Sequence, residues 1–238
     1  MDKILAELAP TGTLRAGINL SNFLLVTGRT PSGDPVGVAP DMADEIARRL
    51  GVPLKLVPFK SPGELADAAG KDIWDIGLIA DEPARAATIA FTPPYVEIEA
   101  TYLVRAGSAL KTVTDVDRAG VRIVVTARAA YDLWLTANIK QADITRADGA
   151  ATAFELFKSG TGDAYAGLRP GLLTDVETIP SARLIEGRFT TVQQAIGTVR
   201  ANAAGAVFLR EFVEEAKRSG LVAGLIEKHK VRGLSVAS

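Results

Sequence analysis

The sequence contains no cysteine and a single histidine, His229. Without cysteine there is no thiol chemistry and no disulfide, and the usual ligand set of a zinc site is missing. Because His229 is the only histidine, a Ser-His or Cys-His nucleophile is also excluded everywhere else in the chain. The absence of thiols does not identify the compartment, because such a protein is compatible with oxidising and reducing surroundings alike. We therefore expect no catalytic residues of these types, no metal and no cofactor.

A strong charge of one sign and a long apolar run are also missing. The net charge of −1 over 238 residues gives no electrostatic attraction to nucleic acid or to an anionic membrane. No stretch approaches the ~20 apolar residues of a membrane span. The first residues lack the basic segment, the apolar core and the cleavage site of a secretory signal peptide. Either the protein is cytoplasmic or the chain begins after a removed signal.

What is present is the composition of a soluble globular protein. Apolar residues make up 47% of the chain and charged residues 23%. The length is sufficient for one large α/β domain or for two lobes. The choice between the two depends on how the predicted strands and helices are grouped.

Predicted strands and helices alternate along the chain in two runs. The first run comprises a helix at 2–8, a strand at 13–19, a loop at 20–40, a helix from its cap Asp41 to its stop Gly51, a strand at 54–57, a helix at 61–70 and a strand at 73–80. The second run comprises a strand at 121–125, a helix at 129–139, a strand at 142–146, a helix at 150–158 and a strand at 163–169. Alternation of this kind predicts parallel βαβ units, and two runs predict two sheets.

Two extended segments, 99–104 and 192–199, connect the runs, and neither has the composition of a flexible linker. An amphipathic helix at 205–219 and a last helix carrying His229 then return the chain to the first lobe. We therefore predict a first lobe of residues 1–102 plus 197–238, a second lobe of residues 103–196, and a crevice between them.

The stretch from Lys71 to Tyr95 holds the main candidate for a binding residue. The apolar run at 73–80 predicts a strand buried on both faces. Asp81-Glu82-Pro83 then predicts a helix start with Asp81 as its cap, and Pro93-Pro94 ends the helix. Arg85 falls in the first turn, where its planar fork could bind a carboxylate through two parallel hydrogen bonds. The alternative is an ordinary solvated arginine on a helix.

The order of elements and the pattern D-x-G-x5-P-x-R-x5-F-T-P-P-Y, which runs from Asp75 to Tyr95, resemble the type II periplasmic solute-binding proteins of ABC importers. The likeness is to the polar amino-acid-binding family, family 3, and its layout covers residues 11–235. The resemblance implies an α/β fold of two lobes, each a mainly parallel sheet flanked by helices, joined by two hinge strands. In that family the arginine at the position of Arg85 binds the α-carboxylate of the ligand.

The resemblance also implies a function. We expect a periplasmic, monomeric solute receptor, not an enzyme, that captures a small carboxylate-bearing molecule between two closing lobes. That molecule is an amino acid or a related organic acid, and the membrane permease of an ABC importer is the partner. The alternative is a lyase on the same scaffold, resembling cyclohexadienyl dehydratase. A regulator's sensing domain is disfavoured, because the residues before the first strand cannot hold a DNA-binding helix-turn-helix.

Further candidate binding residues follow from the same resemblance. In the first lobe Leu78 and Ala80 are apolar and could offer backbone contacts only. Phe59 and Ser61 have the alternative roles of core packing and of a helix cap, and Arg128 that of an exposed helix start. The candidates besides Arg85 are Asn19, Asn22, Phe59, Ser61, Leu78, Ala80, Thr126, Ala127, Arg128 and Arg169.

One departure from the family pattern concerns the ligand. Members that bind α-amino acids usually place an aspartate near the end of the strand DAYAGL to pair with the ligand's ammonium group, whereas Leu168 stands there, followed by Arg169. Either the ligand is not a standard α-amino acid or another acid, such as Glu97, substitutes. The nearby arginines lead us to expect that an organic acid binds at least as tightly as its amino-acid counterpart.

Overall fold

The computed structural model describes residues 1–238 as two compact units. Unit 1 comprises residues 1–97 and 193–238, and unit 2 comprises residues 98–192. The lobe borders that we derived from the sequence fall a few residues later and stay predictions. None of the helices combines the length and apolarity that a membrane crossing requires.

Unit 1 is built on three parallel strands. β4 (Leu54–Phe59) pairs with β1 (Leu14–Asn19), and β1 pairs with β5 (Ile76–Ala80), all in the parallel sense. β12 (Thr190–Val199) then adds antiparallel to β5, and β6 (Ile89–Phe91) adds antiparallel to β12. The elements that begin in this unit are α1 (Asp2–Leu8), β1 (Leu14–Asn19), β2 (Gly28–Arg29), β3 (Pro35–Val36), α2 (Val38–Leu50), β4 (Leu54–Phe59), α3 (Pro62–Asp67), β5 (Ile76–Ala80), α4 (Pro83–Ala86), β6 (Ile89–Phe91), β7 (Val96–Val104), α8 (Ala203–Arg218), α9 (Leu221–Lys228) and β13 (Ser235–Val236).

Unit 2 repeats the arrangement on a smaller scale. β10 (Ala164–Leu168) pairs with β8 (Arg122–Thr126), and β8 pairs with β9 (Asp143–Ala147), in the parallel sense, while β7 adds antiparallel to β10. Its elements are a 3-10 turn (Val113–Asp115), β8 (Arg122–Thr126), α5 (Ala130–Asn138), β9 (Asp143–Ala147), α6 (Ala150–Lys158), β10 (Ala164–Leu168), α7 (Arg169–Val176), β11 (Arg183–Leu184) and β12 (Thr190–Val199), which continues into unit 1.

The apolar strand predicted at 73–80 is β5, which begins only at Ile76 and forms the centre of the unit 1 sheet. All five residues of β5 are buried. On one side, Trp74 and Ile79 pack with Leu65 of α3 and Ile89 of β6 in one buried cluster. This double burial explains why the strand is apolar at nearly every position, as parallel strands with both faces covered are.

Two helix boundaries that depend on local caps, the end of α2 and the start of α3, agree with the sequence. Gly51 ends α2 in the left-handed conformation, with φ of 69°, as predicted. The hydroxyl of Ser61 accepts a hydrogen bond of 3.2 Å from the backbone N–H of Glu64, so Ser61 caps α3. This cap is the alternative that we gave for Ser61.

The start of α2 was predicted wrongly. The helix begins at Val38 rather than at Asp41, and Gly37 is its N-cap with φ of 152°. A Cβ atom at residue 37 would lie 2.3 Å from the backbone oxygen of Leu25, so only glycine fits. Asp41 instead accepts hydrogen bonds from Lys228 and His229 at the end of α9, at 2.7 and 2.8 Å.

The helix after β5 is also shorter than predicted. α4 ends at Ala86 and is followed by β6, which ends before Pro93. The N-cap is Glu82 and not Asp81, and no side chain caps the helix. The predicted loop at 20–40 holds a two-stranded hairpin, because β2 and β3 pair antiparallel within it.

Candidate ligand site

The site in unit 1 is built around Arg85, which is only 5% exposed. It lies on α4, immediately beyond the carboxyl end of β5. Its Nη1 donates a hydrogen bond of 2.9 Å to the backbone oxygen of Ala80, the last residue of β5. Because that bond fixes the guanidinium at the end of the strand, Arg85 is not the solvated helix arginine of the alternative interpretation.

Two acids, Asp81 and Glu82, stand between β5 and α4. Burial raises the pKa of Asp81, although the charge of Arg85 opposes this effect. Burial also raises the pKa of Glu82, to about 7; the charge of Arg85 opposes the shift and that of Asp81 adds to it. A carboxyl with such a pKa titrates near neutrality, which is unusual for glutamate. From the sequence alone, Asp81 and Glu82 were predicted only as acids of a helix start.

The carboxyl ends of the parallel strands bring several predicted residues to the same edge of the sheet. Asn19 of β1 lies opposite Phe59 of β4, and Ile18 lies opposite Leu78 of β5. Asn19, Phe59, Leu78 and Ala80 therefore share this edge with Arg85. Whether they contact a ligand stays a prediction.

The loop after β1 is ordered by its asparagines. The Oδ1 atom of Asn19 accepts hydrogen bonds from the backbone N–H and the hydroxyl of Ser21, at 3.1 and 2.8 Å. Asn22 is buried, and its Oδ1 atom accepts a bond of 3.2 Å from the N–H of Leu24. Phe23, between them, is half exposed. Both asparagine oxygens thus already have donors within the loop.

A second edge of this kind lies in unit 2. Thr126 ends β8 and pairs with Ala147 of β9, and the N–H of Ala127 donates to the oxygen of Ala147 at 2.9 Å. Arg128 takes the left-handed conformation, with φ of 60°, and its N–H donates to Asp132 at 2.7 Å. Asp132 is buried and also accepts from Arg146 at 2.8 Å. The structure thus brings Thr126, Ala127 and Arg128 together.

The side chain of Arg169 is held in place by an ion pair and by a hydrogen bond to the backbone. Its Nε donates a hydrogen bond of 2.6 Å to Glu99, and Nη2 donates to the backbone oxygen of Gly187. Arg188 binds the other oxygen of Glu99 at 2.7 Å. These bonds lower the pKa of Glu99, the bond from Arg188 most strongly, although burial opposes the shift. Glu99 offsets one of the two arginine charges and engages the Nε atom of Arg169, so the expectation of an anion-selective site loses part of its basis.

One neighbour of the unit 1 site had no signal in the sequence. Gln193 of β12 lies opposite Asp81, because Gln194 pairs with Ala80 in the antiparallel register. The N–H of Asp81 donates to the oxygen of Gln193 at 2.9 Å. The Nε2 atom of Gln193 donates to Glu97 at 3.1 Å, while its Oε1 atom is buried without a hydrogen-bond partner. Asp81 and Gln193 are more than a hundred residues apart in sequence, so no local sequence pattern could have predicted their contact.

No group of three or more His, Cys, Asp or Glu side chains is placed to hold a metal ion. His229 lies at the end of α9 and pairs with Asp41. The arrangement in unit 1 suits a molecule that carries a negative group for Arg85 and hydrogen-bond donors for the neighbouring acids.

Comparison with known proteins gives a family match over most of the chain. Residues 17–231 match the family of bacterial extracellular solute-binding proteins, family 3. The L-cystine-binding protein TcyJ of Escherichia coli K12 is 24% identical over 230 residues, which cover 94% of this chain and 85% of that protein.

Solved structures give the same result for the fold. The P235GK mutant of ArgBP from T. maritima superposes with a TM-score of 0.76 at 26% identity, covering 95% of this chain and 99% of that one. The ancestral amino acid-binding protein AncCDT-1, a precursor of cyclohexadienyl dehydratase, gives a TM-score of 0.75 at 22% identity, covering 94% and 98%. The predicted fold class, an α/β type II binding-protein fold with mainly parallel sheets, is confirmed.

Proposed function

Because the chain belongs to family 3 of the bacterial extracellular solute-binding proteins, we propose that it is the solute receptor of an ABC importer and binds a small carboxylate-bearing molecule. The molecule is an amino acid or a related organic acid. The receptor works outside the cytoplasm, in the periplasm, and delivers its ligand to a membrane permease.

The observation that carries this proposal is the placement of Arg85. A buried guanidinium, fixed at the carboxyl end of a central strand by its bond to Ala80, is pre-organised for a carboxylate. The carboxyl ends of strands in open α/β sheets are where ligands generally bind. The amino acid named for TcyJ, L-cystine, supports the same class of compound.

Thermal shift and titration calorimetry test the proposal directly. The panel contains the standard amino acids, L-cystine, and 2-hydroxy and 2-oxo acids. A ligand at ~100 times its Kd stabilises a protein by about 2.7 kcal/mol, which is readily detected. Wild-type protein should respond to at least one carboxylate, and Arg85→Ala should give a clearly smaller response at the same concentration. Arg29→Ala is the matched control, because Arg29 also donates through Nη1 to a backbone oxygen but lies exposed on the β2–β3 hairpin.

The competing proposal is a lyase on the same scaffold. The binding protein AncCDT-1 is a precursor of such an enzyme, but at 22% identity its likeness to this chain concerns the fold alone. Binding proteins predominate among the relatives, which does not favour an enzyme. Recovery of the bound compound, chemically unchanged after prolonged incubation, would support the receptor, whereas conversion into a dehydrated product would replace it by the lyase.

A further inference from the structure

The short strand β13 pairs with the start of β7 and with no other strand. Ser235 lies opposite Glu97, and Val236 lies opposite Val96, in the antiparallel sense. Glu97 is also the last residue of unit 1 before the chain passes into unit 2. The pairing between β13 and β7 therefore ends at the residue where unit 1 ends.

The backbone that leads into β7 is held by hydrogen bonds to two different segments of the chain. The N–H of Tyr95 donates to the oxygen of Gln194 on β12 at 2.9 Å, and the oxygen of Tyr95 accepts from the N–H of Ala237 at 3.1 Å. The side chain of Tyr95 is fully buried. Without β13, the start of β7 would have an unpaired edge on that side. A bend at these residues would break hydrogen bonds to both segments, so bending of this crossing is directed to residues after Glu97.

The segment that carries β13 is anchored to unit 1 independently of β7. The side chains of Leu234 and Ala237, on either side of the two strand residues, are buried. The Nζ atom of Lys217 on α8 donates to the backbone oxygen of Ser238 at 2.9 Å. At the other end of the segment, the last turn of α9 is bonded to Asp41 of α2. Because both ends are fixed, β13 can restrain the strand with which it pairs.

The rest of the unit 1 sheet does not depend on β13. Its strands follow one another in the order β4, β1, β5, β12 and β7, and β13 lies off this path. Both residues of β13 are exposed, so the strand itself adds little apolar burial. Its contribution is backbone pairing beside the border of the unit, and this favours a role in restraining the crossing strand over a role in the core.

We propose that β13 is a splint that keeps the unit 1 end of β7 straight, so that the bending which accompanies ligand capture occurs beyond Glu97. This inference rests on the proposed function and on the predicted closure of the two lobes. Loosening the splint gives the ligand-free protein additional conformations that binding must remove. The affinity for a ligand therefore falls although no residue of the ligand site has changed.

Hydrogen exchange in the absence of ligand tests the splint itself. Ala237→Pro removes the N–H that donates to Tyr95, so the amides of residues 95–97 should exchange at least about threefold faster. Ser238→Pro is the matched control, because the N–H of Ser238 donates no hydrogen bond, and exchange at 95–97 should stay as in wild type. Lys217→Met removes the anchor on α8 and leaves the strand intact, so it should accelerate exchange at the same residues to a smaller extent. Circular dichroism checks that each variant is folded.

Binding measurements then test the link to ligand capture. The probes are the compounds of the thermal-shift panel: the standard amino acids, L-cystine, and 2-hydroxy and 2-oxo acids. For a compound that binds wild type, Ala237→Pro should weaken the affinity at least about threefold, mainly through faster dissociation. Lys217→Met should weaken it less, and Ser238→Pro should bind as wild type does. Titration calorimetry gives the affinities, and surface plasmon resonance gives the dissociation rates.

The outcomes separate the splint from the receptor function. Faster exchange at 95–97 together with weaker binding supports the proposal. Unchanged exchange in both Ala237→Pro and Lys217→Met would overturn it, whatever the affinities are. Faster exchange with unchanged affinity would also overturn it, because β13 would then protect β7 without a part in ligand capture. If no compound binds wild type, the receptor function fails and the link to ligand capture fails with it, whereas the exchange rates still decide whether β13 restrains β7.

Discussion

Asp75 accepts three hydrogen bonds from Arg15: one from the backbone N–H at 2.8 Å, one from Nε at 3.0 Å and one from Nη2 at 2.6 Å. The N–H of Asp75 donates back to the oxygen of Arg15. In unit 2 the same pattern joins Arg122 and Asp163, at 2.9, 3.1 and 2.9 Å. The aspartate of the D-x-G pattern thus joins Arg15 of β1 to the start of β5.

The two pairs differ in exposure, which leads to a prediction on stability. The Asp75 side chain is 3% exposed and that of Asp163 is 39% exposed. Removing one charge from a buried pair is costly, so we expect Asp75→Asn to lower the free energy of unfolding by about 3 kcal/mol. Asp163→Asn should cost less than about 1 kcal/mol, because water screens an exposed pair. Urea denaturation followed by circular dichroism measures both, and equal losses would contradict this account.

Arg85 is expected to contribute through geometry as well as charge. A hydrogen bond to a charged group is worth roughly 1.5–3 kcal/mol, so Arg85→Ala should weaken carboxylate binding about tenfold to a hundredfold. Arg85→Lys should recover only part of the affinity, because lysine lacks the planar fork. Titration calorimetry gives the affinities, and circular dichroism checks that the fold is kept. Unchanged affinity in the alanine variant would remove Arg85 from the site.

The raised pKa of Glu82 predicts a pH-dependent stability in the absence of ligand. The usual glutamate value is 4.5 and the folded value about 7, so the unfolded state ionises first. The folded state therefore loses stability relative to the unfolded state as the pH rises from about 4.5 to about 7. Glu82→Gln should leave the unfolding temperature nearly unchanged at about pH 4 and raise it at about pH 8. Scanning calorimetry can measure this, and a stabilisation that is equal at both pH values would argue against the raised pKa.

Closure of two lobes around the ligand stays a prediction from the sequence. The connections at 99–104 and 192–199 lack the composition of flexible linkers, so we expect rigid lobes that rotate about residues near 102–104 and 193–196. A saturating ligand should then lower the radius of gyration in X-ray scattering. If scattering curves with and without ligand coincide, the chain does not close in this way.

Local chemistry made much of the fold predictable. The apolar pattern of β5, the left-handed glycine Gly51 and the cap Ser61 are each encoded within a few residues of sequence. The start of α2 was not predictable in this way, since it depends on the close approach of Gly37 to the Leu25 backbone. The start of α2 is thus set by the contact between Gly37 and the Leu25 backbone and not by the helix propensity of the residues around it.

The same distinction applies to the candidate site. Arg85 follows a buried strand directly, so its position could be predicted from the sequence. The pairing of Arg169 with Glu99, 70 residues away, could not, and it altered our expectation about the charge of the ligand. Glu82 had a signal, namely two consecutive acids after an entirely buried strand, but that signal also fits an ordinary helix start.

The chain passes from one unit to the other at 97–98 and again at 192–193. In each unit a hydrogen bond joins the two chain segments next to these points. In unit 1 the side chains of Glu97 and Gln193 are joined at 3.1 Å, and in unit 2 the N–H of Phe189 donates to the oxygen of Ala100 at 3.1 Å. Unit 2 is therefore a continuous segment inserted into the sequence of unit 1. Its first and last residues lie close together, because Ala100 and Phe189 are joined by a hydrogen bond. A short glycine-rich linker could join residues 97 and 193 of unit 1, or residues 98 and 192 of unit 2, and the entropy cost of closing such a short loop is small. Each unit is therefore a suitable starting point for domain exchange or circular permutation.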